Sequence, residues 1–423
     1  MARKMRDSGV EWIGEVPEGW EVNLIGTFYS QRSEKVSDRD YAPLSVTMKG
    51  VLPQLATVAK TDDGDNRKLV KKGDFAINSR SDRRGSCGIS EYDGSVSLIN
   101  TILMPRGEMD PRYYNWLFHT EAFADEFYKW GHGIVDDLWT TRWSEMKRIQ
   151  IVAPPLPEQR AIADYLDGKC AAIDVAVDEL KRGIEDCKAW KKVIITEATS
   201  FGLDDDVKLL QTELGWISNR PSYWKRNQLS SLCRRGITYG IVKLGEPCEN
   251  GVKVLRCSDV KDGYLDASNV RTVTPELSDE YKRTVLSGGE VIVNVRGTLG
   301  GCAIVPKEFS GANIAREVAL LDVEESKANP KFIMYTLLSS CFASYVGHEM
   351  AGAIYQGLNI ATLSKYSFYA PDIKEQQAIA DYLDEKCAAI DALVAEKEKL
   401  IADLEAYKKS LIFELVTGKR EVA

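Results

Sequence analysis

The sequence predicts an α+β protein in which two pseudo-symmetric globular domains are joined by two long antiparallel coiled-coil helices. Three observations predict it. The motif EQRAIADYLDGKCAAID from Glu158 returns as EQQAIADYLDEKCAAID from Glu375, 217 residues later. A seven-residue apolar period runs through both copies. Between them lie longer stretches of short β-type runs punctuated by Gly and Pro. A chain of 423 residues that is 44% apolar is long enough for two to four such domains, each with a core.

The duplication extends beyond the motif. Glu11-Trp12-Ile13 with Pro17 and Trp20 is echoed by Gly215-Trp216-Ile217 with Pro221 and Trp224. Gly73-Asp74 and Asn78-Ser79-Arg80 are echoed by Gly289-Glu290 and Asn294-Val295-Arg296, and Cys87-Gly88-Ile89 by Cys302-Ala303-Ile304. Four segments follow: globular residues 1–156, helical 157–206, globular 207–373 and helical 374–423. Identity is dense in the helical segments and faint in the globular ones, so the helices kept one job while the globular parts took different ones.

In the first globular segment, residues 73–80, 87–90 and 96–105 read as strands; in the second, 251–260, 289–297 and 302–306 do. One helix per segment is expected, over 111–130 and 330–346. In the first helical segment Leu166, Ile173, Leu180, Cys187 and Ile194 recur every seven residues, flanked by Cys170, Val177, Ile184 and Ala198. The second keeps Leu383, Ile390, Leu404 and Leu411 with Cys387, Val394, Ile401 and Leu415, broken by Lys397 and Lys408. Gly202 and Gly418 fit as C-terminal stops, and Pro157 and Pro371 lie near the starts. Each helix then covers about 40 residues, or about 60 Å. One globular segment lies between them, so antiparallel pairing closes the chain.

A net charge of −8 argues against a nucleic-acid partner until it is divided along the chain. Residues 157–206 carry 7 basic and 12 acidic side chains and residues 374–423 carry 8 and 11, which accounts for all of the negative charge. The globular segments together are neutral. No run approaches the ~18 apolar residues of a membrane span, the start is charged, and the nine cysteines form no C-x-x-C pair. A reduced, cytoplasmic protein without membrane contact, disulfide or metal is expected.

The common catalytic motifs are missing: there is no phosphate-binding P-loop, no Gly-rich nucleotide turn and no His cluster at ligand spacing, so no catalytic residue is assigned. What recurs in both copies is a polar, basic loop at a strand end. Asn78, Ser79, Arg80, Ser81, Arg83 and Arg84 form it in the first copy, and Asn294, Arg296 and Thr298 in the second. Arg suits bidentate contact with phosphate or guanine, and Asn suits adenine. A surface salt bridge is the competing explanation for such an Arg. Arg234, Arg235, Thr238 and Tyr239 form a further basic and aromatic loop, which a simple turn would also explain.

This pattern resembles the specificity (S) subunits of type I restriction-modification systems. The resemblance rests on the opening Glu11-Trp12-Ile13-Gly14-Glu15-Val16-Pro17-Glu18-Gly19-Trp20, on Pro155-Leu156-Pro157-Glu158-Gln159, and on Gln356-Gly357-Leu358-Asn359 ahead of Pro371 and Glu375-Gln376. Ser218-Asn219-Arg220 and Asp136-Asp137-Leu138-Trp139 depart from it. The resemblance implies that the globular segments are target-recognition domains, each reading half of a split DNA target, and adds Tyr355, Gln356 and Asn359 to the DNA-facing set. It implies that the helices set the gap between the halves and dock two methyltransferase (M) subunits. Double-stranded DNA and restriction/translocase (R) subunits complete the implied partners. S-adenosylmethionine is expected on the M subunit and no cofactor on this chain. A self-sufficient nuclease or methyltransferase and a DNA-free scaffold are the competing functions.

Overall fold

The computed structural model describes residues 3–54, 64–133, 139–297, 299–350 and 357–422. Its contacts form two compact units, Met1–Leu180 with Lys399–Ala423 and Lys181–Glu398. This differs from a division into two globular and two helical segments, because each long helix is shared. A heptad stripe needs a surface to bury itself on, and each part of a helix finds one in the unit it crosses.

In unit 1, strands β1 (Tyr29–Arg32), β2 (Phe75–Asn78), β3 (Cys87–Ile89) and β4 (Asn100–Pro105) form an antiparallel sheet in the order β3-β2-β4-β1. In unit 2, β5 (Thr238–Tyr239), β6 (Val291–Asn294), β7 (Cys302–Ile304) and β8 (Val318–Leu321) repeat it as β7-β6-β8-β5. The registers correspond, since Asn78 faces Asn100 and Asn294 faces Val318. The run 96–105 is not one strand. The Asn100 N–H turns back to the Ser97 carbonyl at 3.0 Å, which separates β4 from the short strand Gly94–Val96.

Each expected helix after the sheet is two helices: α1 (Pro111–Phe118) and α2 (Glu121–Lys129), then α3 (Pro330–Leu338) and α4 (Ser340–Met350). Hydroxyls make both breaks. Thr120 Oγ1 accepts from the Phe123 N–H at 3.2 Å and Ser339 Oγ from the Phe342 N–H at 3.3 Å, a capping bond that competes with helix continuation. The folded-back helices supply much of the aromatic part of each core. In unit 1, Tyr29, Phe75, Tyr114, Phe118 and Phe123 are buried together, with Phe118 and Phe123 centroids 4.5 Å apart. In unit 2, Phe332, Phe342, Tyr345, Tyr366 and Phe368 do the same. Such pairs add roughly 0.5–1.5 kcal/mol each beyond area burial.

The first long helix is Leu156–Phe201, 46 residues, and the second Ile373–Val416, 44 residues. Gly202 and Gly418 follow them at φ +84° and +73°, a left-handed geometry that costs glycine nothing. The heptad positions face inward: Leu166, Cys170, Ile173, Val177, Ile184, Ile194 and Ala198 are buried on the first helix, and Leu383, Cys387, Ile390, Leu411 and Leu415 on the second. Val394, Ile401 and Leu404, flanked by Lys397 and Lys408, are only half-buried.

The helix segments run antiparallel in unit 2. There Lys191 Nζ meets Asp391 at 2.7 Å, and Gly183 leaves room for Lys397, whose Nζ lies 3.3 Å from where a Cβ would stand. In unit 1, Lys408 Nζ meets Asp174 at 2.6 Å. Asp174 and Asp391 occupy the same place in the repeat, as do Lys191 and Lys408. One contact is thus made twice, with donor and acceptor exchanged between copies.

Candidate nucleic-acid interface and helical joint

The sheet delivers the two candidate strand ends to matching positions. Arg80, just past β2, forms an isolated antiparallel bridge with Thr140, and Arg296, just past β6, forms one with Gly357. The next residue continues the match: the Thr141 N–H donates to the Ser79 carbonyl at 3.1 Å and the Leu358 N–H to the Val295 carbonyl at 2.8 Å. Both arginine side chains are exposed, and neither has an ion pair among the described residues. A guanidinium fixed by its backbone and uncommitted at its tip is ready to bind an anion or a base edge.

Their neighbours hold the loop instead. Asn78 Oδ1 accepts from the Arg80 N–H at 3.1 Å, and Ser79 is buried with Oγ 3.0 Å from Thr101 Oγ1. Asn294 is a correction to the sequence reading, because a buried side chain presents no base-reading edge. It is 2% exposed, and its amide donates to the Cys257 and Val260 carbonyls at 3.1 and 3.0 Å, stitching β6 to a neighbouring loop. Ser81 opens a single 3-10 turn, Ser81–Arg83. Arg83 reaches Asp82 at 3.6 Å, while Arg84 pairs with Asp125 and lies 6.0 Å above the Tyr128 ring.

The other basic loop is largely neutralised. Arg234 lies 3.5 Å from Asp322 and 3.9 Å from Glu325, and Arg235 lies 3.2 Å from Asp322. Thr238 is half-buried, its Oγ1 without a hydrogen-bond partner among the described residues, and Tyr239 is exposed. Asn359 caps the helix Ile360–Lys365, its Oδ1 accepting from the Thr362 N–H at 2.7 Å. Thr298, Tyr355 and Gln356 lie outside the described residues, as do Asp136, Asp137 and Leu138.

One Cys-His pair in unit 1 has the residue types of a nucleophilic site. His119 Nε2 is 3.7 Å from Cys87 Sγ, but burial pushes the thiol up and the imidazole down. Both shifts oppose the thiolate-imidazolium state that such chemistry needs.

The second shared structure is the joint where each long helix leaves its domain. Gln159 is buried. It accepts from the Asp110 N–H at 2.9 Å and donates to the Pro154 carbonyl at 2.8 Å. Gln376 does the same with the Asn329 N–H and the Pro371 carbonyl, both at 2.9 Å. The Trp20 indole donates to Glu158 at 2.9 Å, and the Trp224 indole to Glu375 at 3.2 Å. About two turns further along, Asp167 accepts from the Trp116 indole at 2.8 Å, and Asp384 accepts from the Tyr335 hydroxyl at 2.8 Å. Arg112 reinforces the first joint by pairing with Asp110, Asp164 and Asp167, and Lys331 reinforces the second by pairing with Asp384. Glu158-Gln159 and Glu375-Gln376 stand out in the sequence as a motif, but their role of bolting helix to domain is visible only in the fold. The pairing of each Trp-rich opening with one Glu-Gln was the available signal.

The chain is similar to known proteins in sequence and in fold. A family model described as the type I restriction modification DNA specificity domain matches residues 221–403. Over those residues, which make up less than half of the chain, it is similar to type I restriction-modification specificity subunits. The specificity subunit of the type I restriction enzyme MjaVIII from Methanocaldococcus jannaschii is 25% identical over 426 residues, covering 96% of this chain and 94% of that protein. The EcoBI specificity subunit from Escherichia coli is 24% identical over 272 residues, 63% of this chain, and the match spans 57% of that subunit's length. Among solved structures, a chain from work on complex assembly and conformational transition of the type I R-M system superposes with a TM-score of 0.72 at 14% identity, covering 96% of this chain and 99% of its own. The HsdS subunit from Thermoanaerobacter tengcongensis gives 0.52 at 15% identity, covering 96% and 98%. These likenesses establish the fold: two domains joined by long helices. Among the described residues no helix is long and apolar enough to cross a membrane.

Proposed function

We propose that this chain reads a split double-stranded DNA target for a methyltransferase and restriction complex and performs no chemistry itself. The recognition domain of residues 1–156 reads one half of the target and that of 207–373 reads the other. The spacer helices within 157–206 and 374–423 fix the gap between the halves. The observation that carries this reading is the equivalence of Arg80 and Arg296: one uncommitted guanidinium at the same strand end of two domains whose surrounding surfaces differ. One backbone frame with changed side chains suits two different short sequences.

The helices carry the second part of the reading. Trp190 and Tyr407, 57% and 40% exposed, occupy one place in the repeat. Large aromatics on the outside of a helix suit a protein partner, and their recurrence suits two copies of it, which we assign as two M subunits. Those subunits would supply S-adenosylmethionine and transfer its methyl to adenine N6, with R subunits adding translocation and cleavage in the cytoplasm.

The test is methylome sequencing of a host expressing this chain with its M subunit, against the same host without this chain. The expected result is a split motif with N6-methyladenine in both halves that disappears with the chain. A motif that persists without it, or the absence of any motif, refutes the reading.

A further inference from the structure

Beside each strand-end arginine lies a second, less obvious element, a tight turn entering the central strand. In unit 1 the turn is Ser97-Leu98-Ile99-Asn100, closed by the Asn100 N–H on the Ser97 carbonyl at 3.0 Å. In unit 2 it is Ala315-Arg316-Glu317-Val318, closed by the Val318 N–H on the Ala315 carbonyl, also at 3.0 Å. Asn100 and Val318 hold the same register position opposite Asn78 and Asn294, so Leu98-Ile99 and Arg316-Glu317 are structural equivalents. The unit 2 turn is fixed against its arginine, since the Val295 and Arg296 N–H groups donate to the Glu317 carbonyl at 2.8 and 3.3 Å.

The backbones match and the chemistry is opposite. Leu98 is 38% exposed, an apolar tip on a polar loop. Arg316 is exposed and has no ion pair among the described residues. Glu317 is half-buried and neither carboxylate oxygen has a hydrogen-bond partner among the described residues; Oε2 is enclosed, which leaves Oε1 as the oxygen a ligand can reach. Arg256 is near enough to feel the Glu317 charge, but its guanidinium is spent on Asp259 at 3.1 and 3.2 Å and on the Asn269 carbonyl at 2.7 Å. A carboxylate oxygen without a donor gains most from a ligand that brings an N–H. In the major groove only adenine N6 and cytosine N4 offer one, guanine O6 and N7 accept from Arg, and the thymine methyl suits Leu or Ile.

Resting on the reading that each domain recognises DNA, we propose that these two turns are specificity-determining elements. Arg316 contacts a guanine and Glu317 the amino group of an adjacent adenine or cytosine in one half-site. Leu98 and Ile99 pack on a thymine methyl in the other. Arg80 and Arg296 anchor the neighbouring contacts in both.

The experiment is methylome sequencing with the complete M and S complex carrying Arg316→Lys, Glu317→Gln, Leu98→Ser or wild-type chain. Preference at one or two adjacent positions of a single half-site should fall by roughly tenfold to a hundredfold in the first two variants. Leu98→Ser should relax a thymine position in the opposite half-site only, and the unaltered half serves as the folding control in each case. A wild-type motif left unchanged by all three variants overturns this assignment and leaves DNA recognition standing. Simultaneous change in both halves from any one variant also overturns it. Absence of a split motif with wild-type chain overturns both.

Discussion

The joint and the strand-end turn answer the same duplication in opposite ways. At the joint, Gln159 and Gln376 make the same two hydrogen bonds within 0.1 Å, and Glu158 and Glu375 each receive a tryptophan indole. At the turn, one backbone hydrogen bond is kept to the same length while Leu98-Ile99 stands where Arg316-Glu317 does. Buried polar groups have few acceptable substitutes because an unmade bond costs about 1–3 kcal/mol. Leu98 and Arg316 are exposed and carry no such debt, so their identity is free to follow the ligand. The difference separates what must be equal for both units to hold a helix from what is free to differ, as the proposed reading of two different sequences requires.

The comparison breaks first at the cores if the two units are not energetic equivalents. Leu166→Ala and Leu383→Ala, both fully buried at matching places, should each destabilise by about 2–5 kcal/mol in urea unfolding. A large inequality between them would show that one unit props up the other. Next in size is recognition: Arg80→Ala should lower discrimination in one half-site and Arg296→Ala in the other, each by roughly tenfold to a hundredfold in methylome preference. Equal weakening of both halves by either change would make that residue a phosphate contact.

A smaller and sharper contrast lies in pH. His119 follows α1 where Leu338 closes α3, and burial beside Cys87 lowers its pKa. A buried neutral His contributes stability that is full above its unfolded pKa, ~6.5, and is lost as pH falls through the lower folded value. Unit 1 should therefore lose stability on mild acidification more than unit 2, and hydrogen exchange resolved by unit would detect it. Equal loss in the two units would remove His119 as the cause. Smallest are the reciprocal ion pairs. Lys408→Ala and Lys191→Ala should each cost less than about 1 kcal/mol, because both aspartates are largely exposed and water screens the pair. Raising the salt concentration should shrink even that.

The helical frame was legible in the sequence because a seam records itself as a period: a residue that must face inward every seventh place is visible without a structure. Duplication was legible for the same reason at the joint. Arg80 and Arg296 were legible through their shared spacing from Asn78 and Asn294. That Arg84 is spent on Asp125 and Arg235 on Asp322 was not, since those partners come from distant parts of the chain and meet only through the fold. Nor was the buried structural role of Asn294, whose carbonyl partners are more than thirty residues away. Arg316 and Glu317 escaped because their counterparts are Leu98 and Ile99, and only strand register pairs them.

Unit 2 is one uninterrupted stretch of chain, whereas unit 1 is assembled from both ends. Leu411, Leu415 and the Val416 carbonyl, which accepts from the Tyr113 hydroxyl at 2.7 Å, fill a core whose other walls lie some 240 to 400 residues earlier. During synthesis unit 2 can therefore close while its last residues are still emerging, but unit 1 must wait for residues 399–422, its apolar stripe at Leu166 and Cys170 lacking part of its cover until then. Unit 1 thus completes its core only after all of unit 2 has been synthesised, although most of unit 1 precedes unit 2 in the chain.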